Sequence, residues 1–142
     1  GYSLAGLRLG YLLGDPSLIR PVLEKTRDSY NVDAISQAIG LAAIKDQAYA
    51  QQTWASVRRD RKTLAEGLTA MGFDVAASQT NFVLAQTPRD VSALHLYQAL
   101  KDAGILVRYF NTPRLQDALR ITVGTPEQNR QLLDQLDQLI GD

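Results

Sequence analysis

The stretch ALRITVGTPEQNRQLLDQLDQLI, residues 118–140, predicts a β-strand that leads directly into a capped helix. Its first part is rich in aliphatic and β-branched side chains, and Gly124 ends it. Thr125 and Gln128 have the spacing of a capping box, and Pro126 occupies the first helical position, where a backbone N–H is not needed. The predicted helix has an apolar stripe at three- and four-residue steps, formed by Leu132, Leu133, Leu136, Leu139 and Ile140.

Similar elements precede this stretch, beginning at residue 73. The segments FDVAAS (73–78), NFVLA (81–85) and ILVRYF (105–110) predict three further strands. Asp90 predicts the N-cap of a helix that Gly104 ends. The inward face of that helix is predicted to comprise Val91, Leu94, Tyr97 and Leu100. The order strand, strand, helix, strand, strand, helix predicts an α+β fold in the α/β class, with an antiparallel or mixed sheet and helices on one face.

The preceding half of the chain has a different character. Leu9–Leu13 is a short apolar segment between two glycines, and it predicts a buried strand that has no obvious partner in the chain. Asp15 and Asp33 predict the caps of long helices. We therefore expect residues 1–71 to be a strand and linking helices that belong with a larger domain. Residues 72–142 are expected to form a small α+β domain.

Composition narrows the possible functions. Fifteen Lys and Arg balance 15 Asp and Glu, which argues against nucleic acid as a partner, because such proteins usually carry a basic excess or a basic face. The basic run RRDRK (58–62) is interpreted as a solvated helix face. The absence of cysteine excludes thiol catalysis and fits a cytoplasmic location. Neither a membrane span of ~18–20 apolar residues nor metal-ligand spacing is found.

Three arginines interrupt apolar segments of the sequence. Arg8 precedes a predicted strand, whereas Arg108 and Arg120 lie inside predicted strands. A guanidinium keeps its charge in a protein, so burying one without an anion is costly, and its planar donors suit carboxylates and phosphates. Each could also lie at a strand edge, with its stem packed and its head in water. Three together in a neutral domain favour an anion-binding site.

Several motifs resemble one family. The first fourteen residues, GYSLAGLRLGYLLG, resemble the segment that follows the cofactor lysine in fold-type-I pyridoxal-phosphate enzymes, the class I and II aminotransferases. YNVDAISQAIGLAAI (30–44) is similar to a stretch of the histidinol-phosphate aminotransferase branch. SQTNFVLA (78–85), GILVRYF (104–110) and ALRITVGTPEQN (118–129) resemble, in the same order, the strands and last-helix entry of that branch. The resemblance covers nearly the whole chain and implies the small carboxyl-terminal domain of such an enzyme with its linking helices.

The resemblance implies roles for the three arginines. Arg8 stands where the family has the arginine that binds the phosphate of pyridoxal 5′-phosphate. The Schiff-base lysine is expected immediately before Gly1, so no catalytic residue is assigned within the chain. By the same similarity, Arg120 would bind the substrate carboxylate or phosphate, and Arg108 would add a second anion contact.

The resemblance also implies a reaction and its setting. Histidinol phosphate and 2-oxoglutarate would give imidazole acetol-phosphate and glutamate, in histidine biosynthesis. The parent enzyme would be a cytoplasmic homodimer that takes small anionic amines and keto acids, with no nucleic-acid or membrane partner. The chain alone is expected to be inactive, because the Schiff-base lysine and the ring-binding residues lie in the amino-terminal part of such enzymes.

Two alternatives fit the same residues. Threonine-phosphate decarboxylases, which are also pyridoxal-phosphate enzymes, share much of the pattern. A non-catalytic α+β binding module would explain the absent lysine, although it does not explain why Arg8 keeps the family spacing. His95 is interpreted as a surface or half-buried helix residue, and Asn81 as either a turn residue or a ligand contact.

Overall fold

The computed structural model describes residues 1–141 of the 142-residue chain. These residues form five α-helices, one short 3₁₀ turn (Ala5–Leu7) and four β-strands. The helices are α1 (Pro16–Lys25), α2 (Ala34–Lys45), α3 (Gln47–Ala70), α4 (Ala93–Asp102) and α5 (Pro126–Gly141). The strands are β1 (Asp74–Val75), β2 (Phe82–Gln86), β3 (Arg108–Tyr109) and β4 (Ala118–Thr122). The chain divides into two compact units, Gly1–Trp54 and a second unit that begins at Ala55.

The four strands of residues 1–141 form one antiparallel sheet in the order β1-β2-β4-β3. β2 and β4 pair over their full length, from Phe82 opposite Thr122 to Gln86 opposite Ala118. The predicted α+β fold is confirmed, and of the two predicted sheet types the antiparallel one is observed. β1 and β3 contain only two residues each, although six were predicted for each. Both are edge strands, which pair on one side only and therefore have fewer hydrogen bonds to extend them.

The core of the second unit lies between one face of the sheet and three helices. Because successive side chains of a strand point to opposite faces, every second residue of β2 and β4 faces the helices. The strand residues on this face are at most 1% exposed, and they are Val83, Ala85, Leu119 and Ile121. The helices contribute buried leucines in pairs from α3, α4 and α5: Leu64 and Leu68, Leu96 and Leu100, Leu132 and Leu136.

The helix ends of this unit follow local capping patterns. The Thr125 hydroxyl accepts a hydrogen bond from the Gln128 N–H at 3.3 Å, and Gln128 Oε1 accepts one from the Thr125 N–H at 2.9 Å, so the predicted capping box is confirmed. Gly72 follows α3 and Gly104 follows α4, with φ of +85° and +79°. These are left-handed conformations that glycine adopts without steric cost, which ends both helices.

The start of α4 differs from the prediction. Asp90 is not the N-cap, because its φ is +69° whereas an N-cap residue lies in the β region. The Val91 N–H bonds to the Pro88 carbonyl at 3.2 Å, in a turn that includes Asp90. Ser92 is the cap, and its hydroxyl accepts a backbone N–H three residues later at 3.3 Å. Leu94, predicted to face inward, is 53% exposed, because the core packs against the neighbouring face of the helix. The buried positions of α4 are Ala93, Leu96 and Leu100.

The unit Gly1–Trp54 contains α1, α2 and the first turns of α3. Both predicted caps are confirmed: an Asp15 carboxylate oxygen accepts the Ser17 N–H at 2.8 Å, and one of Asp33 accepts the Ser36 N–H at 2.8 Å. Several large apolar side chains of α1 and α2 are exposed, among them Leu18, Leu23, Ile35, Leu41 and Ile44.

The strand predicted at Leu9–Leu13 is not formed. These residues adopt no regular secondary structure, and Tyr11, Leu12 and Leu13 are 73%, 67% and 84% exposed. A strand needs a neighbour that satisfies its backbone N–H and C=O groups. The strands within residues 1–141 all belong to the second unit, where they pair with one another, so Leu9–Leu13 finds no partner.

The boundary between the two compact units, after Trp54, does not coincide with the predicted domain boundary at residue 72. Leu64 and Leu68 precede the predicted boundary at residue 72, yet both are fully buried in the core of the second unit. The later turns of α3 cover the sheet and therefore belong with it. The assignment of residues 1–71 to the linking part of a larger domain stays a prediction.

Candidate functional site

Arg108 and Arg120 lie on the same face of the sheet. They are direct partners in the β3–β4 ladder, and Leu84 of β2 is the partner of Arg120 on its other side. The neighbours of Arg120 in β4, Leu119 and Ile121, are buried against the helices. Alternation along the strand therefore directs Arg120, and with it Arg108, to the face opposite the helices. The structure thus brings together the two strand arginines predicted as anion contacts.

Two half-buried phenylalanine rings flank these guanidinium groups. Cζ of Arg120 lies 5.3 Å from the ring centroid of Phe82 and 5.6 Å from that of Phe110. Cζ of Arg108 lies 5.3 Å from the Phe110 centroid. These distances are within the range of a cation–π contact. Sequence reasoning missed both rings, although the period-two spacing of Arg108 and Phe110 was a signal that could have placed them on one face.

The arginine pair has no carboxylate partner among residues 1–141. The ion pairs in that part of the chain join Arg59 to Asp60 at 3.0 Å and Lys62 to Glu66 at 3.8 Å, and both lie on α3. Like charges directly opposite each other in an antiparallel ladder destabilise it. An anion bound between the guanidinium groups would remove this repulsion and accept bidentate hydrogen bonds.

The loop before β2 holds the backbone of Phe82. The Ser78 hydroxyl donates to the Phe82 carbonyl at 2.6 Å, and the Thr80 hydroxyl donates to the same carbonyl at 3.1 Å. Arg61 of α3 donates in turn to the Thr80 carbonyl, which ties the loop to that helix. These bonds fix the strand entry that carries the ring next to Arg120.

Arg8 belongs to the unit Gly1–Trp54. It follows the 3₁₀ turn with a φ of 59°, and its side chain is exposed. Its Nη1 donates to the Ala5 carbonyl at 3.4 Å, a long bond that leaves the other guanidinium donors free of acceptors within the described residues. This donor set suits a phosphate group. Its role in binding the cofactor phosphate stays a prediction.

The other residues that the sequence analysis considered as candidates do not lie in a cluster of functional side chains among residues 1–141. His95 is exposed on α4, and the Asn81 carbonyl accepts the Val123 N–H at 2.9 Å. In the run RRDRK, Arg59 and Lys62 form the ion pairs of α3 described above. Across residues 1–141, no three acidic or histidine side chains cluster as metal ligands do. None of the helices in that range has the length and apolar character needed to cross a membrane.

Comparison with known proteins shows the family to which the chain belongs. The family described as aminotransferase class I and II matches residues 1–136. The chain belongs to the class I and II aminotransferases. The resemblance of the terminal motifs to that family is therefore confirmed.

Similar aminotransferases include two curated relatives. Histidinol-phosphate aminotransferase 1 of Nostoc sp. is 51% identical over 140 residues, which are 99% of this chain and 39% of that protein. The histidinol-phosphate aminotransferase of Synechocystis sp. is 50% identical over 132 residues, which are 93% of this chain and 37% of that protein. The chain thus spans about two fifths of the length of these relatives.

A solved structure shows the same fold. The histidinol-phosphate aminotransferase of Sinorhizobium meliloti, in complex with pyridoxal-5′-phosphate, matches with a TM-score of 0.78 and 26% identity. The match covers 99% of this chain and 38% of that chain. The expected relation to fold-type-I aminotransferases is confirmed.

Proposed function

We propose that this aminotransferase chain is the carboxyl-terminal part of a histidinol-phosphate aminotransferase. The observation that carries the proposal is the 51% identity to the Nostoc enzyme over 99% of the chain. In such an enzyme, residues 1–71 link to a larger domain, with the later turns of α3 packed on the sheet of the small domain, which residues 72–142 form. The proposed reaction converts histidinol phosphate and 2-oxoglutarate to imidazole acetol-phosphate and glutamate.

The arginine pair supports this proposal because both proposed substrates, histidinol phosphate and 2-oxoglutarate, carry anionic groups. Arg120 binds the phosphate of histidinol phosphate or a carboxylate of 2-oxoglutarate, and Arg108 adds a second contact from the neighbouring strand. Each charge-assisted hydrogen bond contributes about 1.5–3 kcal/mol. Phe110 packs near both guanidinium groups and restricts their orientations, so that less conformational freedom is lost when the anion binds.

We propose pyridoxal 5′-phosphate as the cofactor, with Arg8 as a contact to its phosphate. The exposed guanidinium of Arg8, with one long hydrogen bond, fits this role. When bound, the cofactor supplies an electron sink for carbanion chemistry. The role of this chain is to bind anionic groups and to orient them. We expect no transamination by residues 1–142 alone, because the resemblance assigns the role of the Schiff-base lysine to none of them.

The proposed setting of the parent enzyme is the one that the family resemblance implies. We propose a cytoplasmic homodimer that acts in histidine biosynthesis on small anionic amines and keto acids. The balanced charge of the chain supports small anions rather than nucleic acid as ligands.

A chimera tests the proposed activity. Residues 1–142 replace the matching segment of the Nostoc enzyme, and the purified chimera is assayed with histidinol phosphate and 2-oxoglutarate. We expect transamination, and we expect Arg120→Gln to raise KM for histidinol phosphate about tenfold or more, since it removes a charge-assisted contact. Arg130→Gln, which changes an exposed arginine of α5, is the matched control.

Three outcomes would contradict parts of the proposal. A folded chimera that binds pyridoxal phosphate but decarboxylates threonine phosphate in preference to transaminating histidinol phosphate would favour the decarboxylase alternative. Equal KM values for the Arg120 and Arg130 variants would remove Arg120 from the substrate site. For the chain alone, a borohydride-reducible adduct at one lysine, accompanied by turnover, would show that the expected inactivity is wrong.

A further inference from the structure

Asn129 is a buried polar side chain that the proposed reaction does not use. It lies in the first turn of α5 and is 6% exposed. Its Oδ1 accepts the Gly124 N–H at 2.9 Å, and its Nδ2 donates to the Gly124 carbonyl at 3.2 Å. One amide side chain therefore satisfies both backbone groups of a single residue.

Gly124 stands at the end of the strand that carries Arg120. The β2–β4 ladder continues beyond β4 to Val123, whose N–H bonds to the Asn81 carbonyl at 2.9 Å. Gly124 is the next residue, and Asn129 holds it from α5. Two leucines of the same helix, Leu132 and Leu136, are buried in the core. The end of β4 is therefore fixed to an element that cannot move without disturbing the core.

The residue types at both positions suit this contact closely. A short amide carries a donor and an acceptor on one planar group, which matches the N–H and C=O of one residue. Gly124 is half-buried, so leaving these backbone groups unpaired would be unfavourable. A Cβ at Gly124 would lie 2.8 Å from Gln128 Oε1 and 3.3 Å from Asn129 Oδ1, so a side chain there would push the Gln128 side chain aside and crowd the oxygen that Asn129 uses in the contact.

We propose that Asn129 is a positioning residue: by holding Gly124 it fixes the carboxyl end of β4, and it thereby sets the direction in which Arg120 presents its guanidinium to an anion. The inference rests on the proposed function of Arg120 as an anion contact. It adds a residue that touches neither substrate nor cofactor and acts through the backbone of the strand.

The test is an NMR titration of the 142-residue chain with inorganic phosphate. It follows the Nε–Hε resonances of Arg108 and Arg120, the Gly124 amide, and the heteronuclear NOE at Arg120 Nε, which reports side-chain order on the picosecond to nanosecond timescale. Asn129→Leu removes both hydrogen bonds without adding charge. Asn129→Ser is the milder variant, and it carries the test if the leucine variant does not fold.

We expect the Asn129 variants to weaken phosphate binding about threefold to tenfold and to lower the NOE at Arg120 Nε, because the guanidinium is no longer held in one direction. Leu133→Ala is the matched control. It removes a partly buried side chain from the same helix and lowers stability, but leaves the bonds to Gly124 in place. This variant is expected to keep both the phosphate affinity and the Arg120 NOE.

The possible failures are distinguishable. If phosphate moves no Arg120 resonance in the unaltered chain, the proposed function of Arg120 fails, and the inference falls with it. If phosphate binds but the Asn129 variants leave both the affinity and the Arg120 NOE unchanged, only the inference is overturned. An equal loss of affinity in Leu133→Ala would also overturn it, since general destabilisation would then be the cause.

Discussion

Arg108 and Arg120 are direct neighbours across the β3–β4 ladder, and the ring of Phe110 lies 5.3 Å and 5.6 Å from their Cζ atoms. Side-by-side cations repel, so this face of the sheet is most stable when an anion lies between them. Ligand binding and the stability of the second unit are therefore linked through these two charges.

Phosphate is expected to stabilise the unaltered chain more than the variant Arg108→Gln. A ligand that binds only the folded state raises the free energy of unfolding by about 2.7 kcal/mol at a hundred times its Kd, and the variant retains only one guanidinium of the pair. Urea unfolding at several phosphate concentrations and constant ionic strength measures the difference. Arg89→Gln, in an exposed loop, should respond like the unaltered chain. An unchanged phosphate response in Arg108→Gln would show that Arg108 does not contact the anion.

The Phe110 ring is expected to affect both arginines, whereas the Phe82 ring affects one. Phe110→Leu removes two cation–π contacts of about 0.5–1 kcal/mol each, and Phe82→Leu removes only the contact to Arg120. The Nε–Hε chemical shifts report the loss of each ring current. We expect both arginine resonances to move in the first variant and only that of Arg120 in the second. Movement of Arg108 in Phe82→Leu would contradict the observed arrangement.

Two leucines of α4 are expected to differ sharply in their effect on stability. Leu96 is fully buried and Leu94 is 53% exposed. Leu96→Ala should lower the free energy of unfolding by about 2–5 kcal/mol, because it leaves a cavity in the core. Leu94→Ala, the matched control, should change it by no more than about 0.5 kcal/mol. Urea unfolding measures both values, and similar losses would mean that Leu94 is buried in the core as the sequence predicted.

The cap of α2 is expected to be sensitive to acid. The Ser36 hydroxyl, which donates to Asp33 at 2.6 Å, and then the Ser36 N–H lower the pKa of the Asp33 carboxyl below its ordinary value of 3.8. Because this pKa is lower in the folded state, the ionised carboxylate stabilises the helix above about pH 3.8, and its contribution is lost as pH falls through the lower, folded pKa.

Ser36→Ala tests the cause of that pKa shift. It removes the hydroxyl and should move the Asp33 pKa towards its ordinary value in an NMR titration of the carboxyl carbon. Asp33→Asn, which cannot titrate, identifies the resonance. An unchanged Asp33 pKa in Ser36→Ala would exclude the hydroxyl as the main cause.

The rates of amide hydrogen exchange are expected to differ between a segment of the first unit and a central strand of the second. Tyr11, Leu12 and Leu13 are exposed and lie outside regular structure, so their amides should exchange quickly. The amides of Leu119 and Ile121 lie in a strand paired on both sides and should be the slowest to exchange. Comparable protection of the two groups would mean that Leu9–Leu13 pairs with another segment in solution.

Local patterns were the part of this fold that could be predicted. Thr125 and Gln128 cap α5 as expected, because both bonds join residues three apart in the chain. Asp90 shows the limit of such reasoning, because both Asp90 and Ser92 are residue types that cap helices. Asp90 lies in a turn closed by the bond from the Val91 N–H to the Pro88 carbonyl, so the helix begins after Ser92. Leu9–Leu13 shows another limit, since an apolar run forms a strand only if a partner strand is available.

The sequence by itself determined where α1, α2 and α5 begin, the α+β order of the second unit, and the presence of charges that need an anion. These properties depend on side chains that are a few residues apart, and this spacing can be read directly from the sequence. The tertiary structure decided that Arg108 and Arg120 are neighbours, that Phe110 contacts both, and that Asn129 holds Gly124. Those relationships depend on strand register and on how a helix packs against the sheet. Both are set by hydrogen bonds and burial between segments that are distant in the sequence.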